Sequence, residues 1–191
     1  MRLRKFAKLA RKKGVIQLVH VGAEIWLGCG EGIYRAPGLP EKVDEQTILT
    51  VLDYSEKEAE GVQVVEINAE LGDVFGLDLR TEAQNTMAEP LEIVAMPEGV
   101  RARALLFGGD RLVFFDEALL APLADVLRDH AEYVRKVVRA SNGMRYIVIY
   151  DGLDVVAALL PMQICTRGFV GALREFAALC ARQIEREEGT T

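Results

Sequence analysis

A chain of 191 residues, half of them hydrophobic, can bury a sizeable core in one large domain or two small ones. Its longest near-apolar stretch, Val155 to Met162, is broken by Pro161 and falls far short of the ~20 residues that cross a bilayer, so no membrane partner is expected. The net charge of −6 hides a split: residues 1–13 carry seven of the 23 Lys and Arg and no acid, and the other residues set 16 basic against 29 acidic side chains.

In chain order, residues 2–13 read as a helix, with Leu3, Phe6, Ala7 and Ala10 at i, i+3, i+4, i+7 and basic residues around the rest. Gly14 ends it. Val15 to His20 and Glu24 to Gly28 read as strands about a turn at Gly22, and Ile33 to Ala36 as a third strand stopped by Pro37. Asp44 can cap a helix from Glu45 to about Tyr54. Val62 to Ile67 is a strand. Residues 69–90 are irregular. Strands resume at Leu91 to Ala95, Arg101 to Phe107 and Arg111 to Phe115. Glu117 to Arg139 has a helical pattern, ended by Asn142-Gly143. Its Arg128, Arg135, Lys136 and Arg139 then fall near a helix C-terminus, where the dipole favours cations. Arg145 to Tyr150 and Leu153 to Ala158 form a hairpin, and Gly168 to Glu187 a final amphipathic helix with Phe169, Leu173, Phe176, Ala177, Cys180 and Ile184 inward.

The fold class expected is α+β, with antiparallel strands packed on three or four helices. The chain divides into a first α/β half over 1–68, a connection over 69–90 and a second half over 91–191, or folds as one compact domain. The halves invite alignment as a repeat: Ile16 to Leu27 lies over Tyr146 to Ala157, with Gly22 on Gly152 and Glu24 on Asp154.

Leu112-Val113-Phe114-Phe115-Asp116-Glu117-Ala118-Leu119-Leu120 resembles the sliding-clamp pattern in which a strand leads into a ring-lining helix. Tyr146 to Gln163, closing on Leu160-Pro161-Met162, is similar to the last strands of a bacterial β clamp, and Arg4-Lys5-Phe6 before a hairpin fits the same order. The resemblance covers 2–40 and 111–164. It implies two clamp-like α/β halves and a role in DNA replication. The chain also has the character of a small prophage-encoded protein.

No catalytic motif is complete. Gly28-Cys29-Gly30-Glu31-Gly32 is rich in glycine, but a strand follows it where a phosphate cradle needs a helix. Cys29 is the only candidate nucleophile, and His20 and His130 are the only imidazole bases. Cys165 and Cys180 read as buried hydrophobes. Three scattered cysteines argue against a disulfide framework and for a cytoplasmic setting. The acids Glu56, Glu58, Glu60, Glu66, Glu70, Asp73 and Asp78 read as a solvated surface, and Trp26 and Tyr34 as core. No metal or cofactor is expected.

Arg2, Arg4, Lys5, Lys8, Arg11, Lys12 and Lys13 form the candidate nucleic-acid-binding set. Like charges this close repel, and a polyanion relieves that repulsion. The reading is a non-enzymatic binding protein, a clamp-like replication or phage accessory factor that meets DNA without sequence preference, and a homo-oligomer. The alternative is a structural or assembly protein whose basic helix docks on an acidic protein partner.

Overall fold

The central strands are apolar at successive positions, as in Tyr146 to Tyr150, and because neighbouring side chains point to opposite faces, both faces of the sheet are buried there. The computed structural model describes residues 1–40, 42–69, 73–74, 77–79, 85–95, 100–141, 143–164 and 166–188. They fall into two compact units, Met1–Pro161 and Met162–Thr191.

In the first unit, α1 (Leu3–Lys13) precedes β1 (Val15–Val21), β2 (Glu24–Gly28) and β3 (Gly32–Arg35). The short helices α2 (Ile48–Val51) and α3 (Glu56–Ala59) lead to β4 (Gln63–Ala69). A small ribbon, β5 (Asp73–Val74) and β6 (Leu77–Asp78), is followed by β7 (Thr86–Ala95), β8 (Arg101–Phe107) and β9 (Arg111–Asp116). A 3-10 helix (Glu117–Leu123) runs into α4 (Ala124–Asp129), then β10 (Val134–Ser141), β11 (Met144–Asp151) and β12 (Asp154–Leu159). The second unit holds α5 (Arg167–Glu188).

The class is α+β, as expected. Among the described residues, ten strands form one open sheet in the order β4-β1-β2-β3-β12-β11-β10-β7-β8-β9. The sheet is mixed, because β1 and β4 pair in parallel from Val15↔Gln63 to Val21↔Ala69. A parallel pair needs a long crossover, and the chain through β2, β3, α2 and α3 supplies it.

On one face Ile16, Leu18, Leu27, Tyr34, Ile147 and Ile149 pack with Phe6 and Ala10 of α1 and Leu119 of the 3-10 helix. On the other face Val19, Trp26, Ile33, Tyr146, Val148 and Tyr150 pack with Leu77 and Leu79. Tyr34 is fully buried, and its hydroxyl donates to the Leu119 carbonyl at 2.8 Å. The Arg2 amide donates to the Pro122 carbonyl at 2.8 Å. These two bonds tie α1 and the sheet to the 3-10 helix.

The long helix expected over 117–139 is the main correction. Helix stops at Asp129, and Val134–Ser141 is a strand paired with β11 and β7. Val134, Val137 and Val138 are β-branched and favour a pleated surface. Gly143, at φ 78°, turns a hairpin and does not cap a helix. Arg135, Lys136 and Arg139 are therefore strand residues, and Arg139 is only 1% exposed. Its guanidinium donates to Asn85 Oδ1 at 2.5 Å and to the Tyr150 hydroxyl.

The extra strand also shifts the internal correspondence. Reading outward from the β3·β12 pair, β2 and β1 on one side mirror β11 and β10 on the other. Each trio follows a helical segment, α1 or the 3-10 helix with α4. The hairpin β1–β2 thus matches β10–β11, one strand earlier than the sequence alignment placed it. The helix expected over 45–54 is also shorter, at Ile48–Val51, although Asp44 Oδ1 does accept from the Thr47 amide at 2.9 Å.

α5 spans Arg167–Glu188, as expected, but its apolar residues are not inward. Leu173 is 49% exposed, Phe176 65% and Ile184 54%, and Cys180 is exposed too. Cys165 and Glu70 lie outside the described residues.

Candidate anion-binding face

Helix α1 buries Phe6, Ala7, Leu9 and Ala10 and turns its cations outward. Gly14, at φ 73°, closes it in the left-handed conformation that the cap requires. Arg11, Lys12 and Lys13 occupy the last turn, where they complement the helix dipole. Arg2 sits at the opposite end, where the dipole is adverse. Its Nε donates to Asp125 Oδ2 at 2.7 Å, and this bond raises the guanidinium pKa and lowers that of the Asp125 carboxyl.

The seven candidate cations divide into two groups. Arg2 pairs with Asp125, Arg11 with Glu58, and Lys13 with Glu31 at 2.7 Å and, more distantly, Asp116 at 3.7 Å. Arg4, Lys5, Lys8 and Lys12 are exposed, and no acid pairs with them among the described residues. From Arg4 to Lys12 is eight residue steps, about 12 Å of helix axis. Their spacings of three and four put them on neighbouring rows.

A cleft with about 430 Å³ of empty volume lies beside this face, lined by Arg4, Lys8 and Arg11 on one side and Asp53, Tyr54 and Glu58 on the other. The Tyr54 hydroxyl fixes the far wall by donating to the Ala7 carbonyl at 2.6 Å. Glu58 is held by Arg11 and by the Ser55 amide, which donates to Glu58 Oε2 at 3.0 Å. The turn before Tyr54 closes α2 with two bonds, Asp53 amide to Thr50 carbonyl and Tyr54 amide to Leu49 carbonyl, both at 3.0 Å. Asp53 takes φ 62°, the position usually filled by glycine. Asp53→Gly is therefore expected to stabilise the protein by about 0.5–1 kcal/mol, and Asp53→Ala to destabilise it. Thermal melting of both variants checks this, and equal shifts in one direction would refute it.

The structure separates the other candidate groups. Cys29 is fully buried, not exposed by its glycines, and its Sγ donates to the Gly32 carbonyl at 3.5 Å. Burial pushes its thiol pKa up, away from nucleophilic character. His20 Nε2 lies 3.2 Å from Glu66 Oε1 without hydrogen-bond geometry. Trp26 and Tyr34 are core residues, as expected. Among the described residues no group of three or more His, Cys, Asp or Glu is placed to hold a metal ion. No described helix is long and apolar enough to cross a membrane.

His130 Nδ1 lies 2.7 Å from Asp151 Oδ2, joining the turn after α4 to the β11–β12 hairpin. The hydrogen bond, and then the charge of Asp151, raise the imidazole pKa above its ordinary 6.5. A raised pKa in the folded state means that the contribution is complete below about pH 6.5 and is lost as pH rises through the folded value. NMR titration should show the His130 imidazole above its ordinary 6.5, and Asp151→Asn should bring it back down toward that value. An unshifted His130 in the parent would contradict the pairing.

Sequence reasoning found the seven cations but not their partners. Asp125 lies 123 positions from Arg2, and nothing local signals that pairing. Ser55 followed by Glu58 is a legible capping box, yet it does not announce Arg11. Comparison with protein-family models, curated proteins and solved structures finds no match for this chain.

Proposed function

We propose that the chain is a non-enzymatic binding protein that takes the phosphate backbone of a nucleic acid on the outer face of α1, without reading sequence. The observation that supports this is the row of four exposed cations, Arg4, Lys5, Lys8 and Lys12, on a helix anchored by Phe6 and Ala10. Phosphate contacts position a protein on a duplex and carry no base information. A clamp-like role in replication, in a cell or a phage, is the setting in which such contact is useful. The four like charges repel by a few tenths of a kcal/mol per neighbouring pair, and bound phosphates reverse that sign.

The test is charge reversal. Lys5→Glu, Lys8→Glu and Lys12→Glu together should abolish the shift of a DNA duplex at ~50 mM salt and release the protein early from heparin. Retained binding would refute the reading. The second reading, docking on an acidic protein, draws on a specific observation: α1 already engages the carboxylates of Glu58, Glu31 and Asp125 within its own chain. Absence of any DNA shift by the parent protein, with an acidic protein captured through the same lysines, would decide for it.

A further inference from the structure

We infer that the sheet carries a second anion site, built by Arg103, Arg111, Lys136 and Arg145, that takes a compact oligophosphate. It shares no residue with α1 and does not depend on nucleic-acid binding there. Register puts the four side chains on one face. Lys136 pairs with Ile149, and Val137 pairs with Met87, which sets Lys136 beside Ala88. Ala88 pairs with Phe107, and Phe107 with Arg111. Residues opposite one another across a ladder share a face, and so do residues two apart along a strand. Arg103 therefore joins Phe107, and Arg145 joins Ile149. Strands β11 and β9 stand four places apart in the sheet, about 19 Å at the usual strand spacing. Even so, the guanidinium carbons of Arg111 and Arg145 lie 4.7 and 5.6 Å from the centroid of the same buried Phe107 ring. Two like charges from distant strands thus converge on one ring.

The charge gathered there is not met within the chain. Glu117 pairs with Arg103, and with Arg101 at 3.4 Å. Among the described residues no carboxylate pairs with Arg111, Lys136 or Arg145, and Asp110, in the turn before Arg111, bonds to none of them. Arg103 Nε is buried and has no hydrogen-bond partner. Burial, and then the charge of Arg103, lower the Lys136 amine pKa. A bound anion offsets each of these costs, and guanidinium forks take phosphoryl oxygens in pairs. Depth selects the size of the ligand. Arg103 and Lys136 are half-buried, whereas Arg4, Lys5, Lys8 and Lys12 stand exposed on the convex surface of a helix. A short phosphate chain can bend down to recessed groups, and a rigid duplex cannot follow them.

Tripolyphosphate is the probe, and the first readout is acylation of individual lysines in the unaltered chain, followed by mass spectrometry. At about ten times its Kd, tripolyphosphate should slow acylation of Lys136 about tenfold and that of Lys57 less than about twofold. Lys5→Glu, Lys8→Glu and Lys12→Glu together should remove the DNA shift and keep the protection of Lys136. Arg111→Gln with Arg145→Gln should weaken tripolyphosphate binding about tenfold or more by calorimetry and keep the DNA shift. Lys136→Met should weaken it similarly, and Lys136→Arg, which keeps the charge, should hold it to within about threefold. An unprotected Lys136, tripolyphosphate binding undiminished in Lys136→Met and in the double arginine variant, or duplex DNA that protects Lys136 as well as tripolyphosphate does, would each overturn the inference.

Discussion

Between 50 and 200 mM salt, DNA binding should weaken about 150-fold, with a slope of log affinity against log salt near −3.6. The figure follows from counting the cations of α1 that pair with no described carboxylate. Each phosphate neutralised on duplex DNA contributes about −0.9 to the slope. Arg4, Lys5, Lys8 and Lys12 are the four that remain after Arg2, Arg11 and Lys13 pair with Asp125, Glu58 and Glu31. If all seven reached phosphates, the slope would approach −6 and the loss would be several thousandfold. Titrations at four or five salt concentrations separate the two outcomes easily. A slope near −6 would show that the internal ion pairs open on binding, and a slope near zero would refute phosphate contact altogether. Glu58→Gln refines the count. It removes the partner of Arg11 and should steepen the slope by about one.

Phe6→Ala should destabilise the first unit by about 3–5 kcal/mol, the largest effect expected of a single substitution in α1. Phe6 is fully buried and meets the Tyr34 ring edge-on, with centroids 5.8 Å apart and planes at 73°. Removing the ring exposes a void between α1, β3 and the 3-10 helix. Tyr34 cannot fill it without giving up its bond to the Leu119 carbonyl. In a unit of this size about 3–5 kcal/mol lowers the melting temperature by roughly 10 °C. Phe6→Leu keeps most of the volume and should cost much less. A loss below about 1 kcal/mol in Phe6→Ala would mean that α1 does not pack on the sheet as described. The same substitution should weaken DNA binding only as far as it unfolds the protein. It touches none of the four exposed cations.

The first hairpin and α1 were legible because each obeys one period without competition. Leu3, Phe6, Ala7 and Ala10 follow the helical spacing, Gly14 supplies the stop, and Gly22 the turn. The segment over 117–139 was not legible, because Leu127, Val134, Val137 and Val138 satisfy a helical spacing as well as a strand. Pairing with β7 and β11 decides between them, and those partners lie elsewhere in the chain. The parallel β1·β4 pair was hidden for the same reason. Nothing in Val62 to Ile67 says which neighbour it will join or in which direction. In the site, the seven cations were visible as a composition, but the pairing of three of them with described carboxylates was not. Cys29 misled, because glycines on both sides suggest exposure, while in the fold it is fully buried and Lys13 bonds to Glu31 of the same loop.

By itself the sequence determined the α+β class, the extent of α1 and α5, and the concentration of positive charge on one short helix. These rest on local spacing and composition, which need no distant partner. Only the tertiary structure decided the strand order, the early end of the helix after Glu117, and which cations keep a charge to offer. Those outcomes depend on contacts between residues far apart in the chain. There, burial and ion pairing outweigh the small preferences that any local stretch expresses.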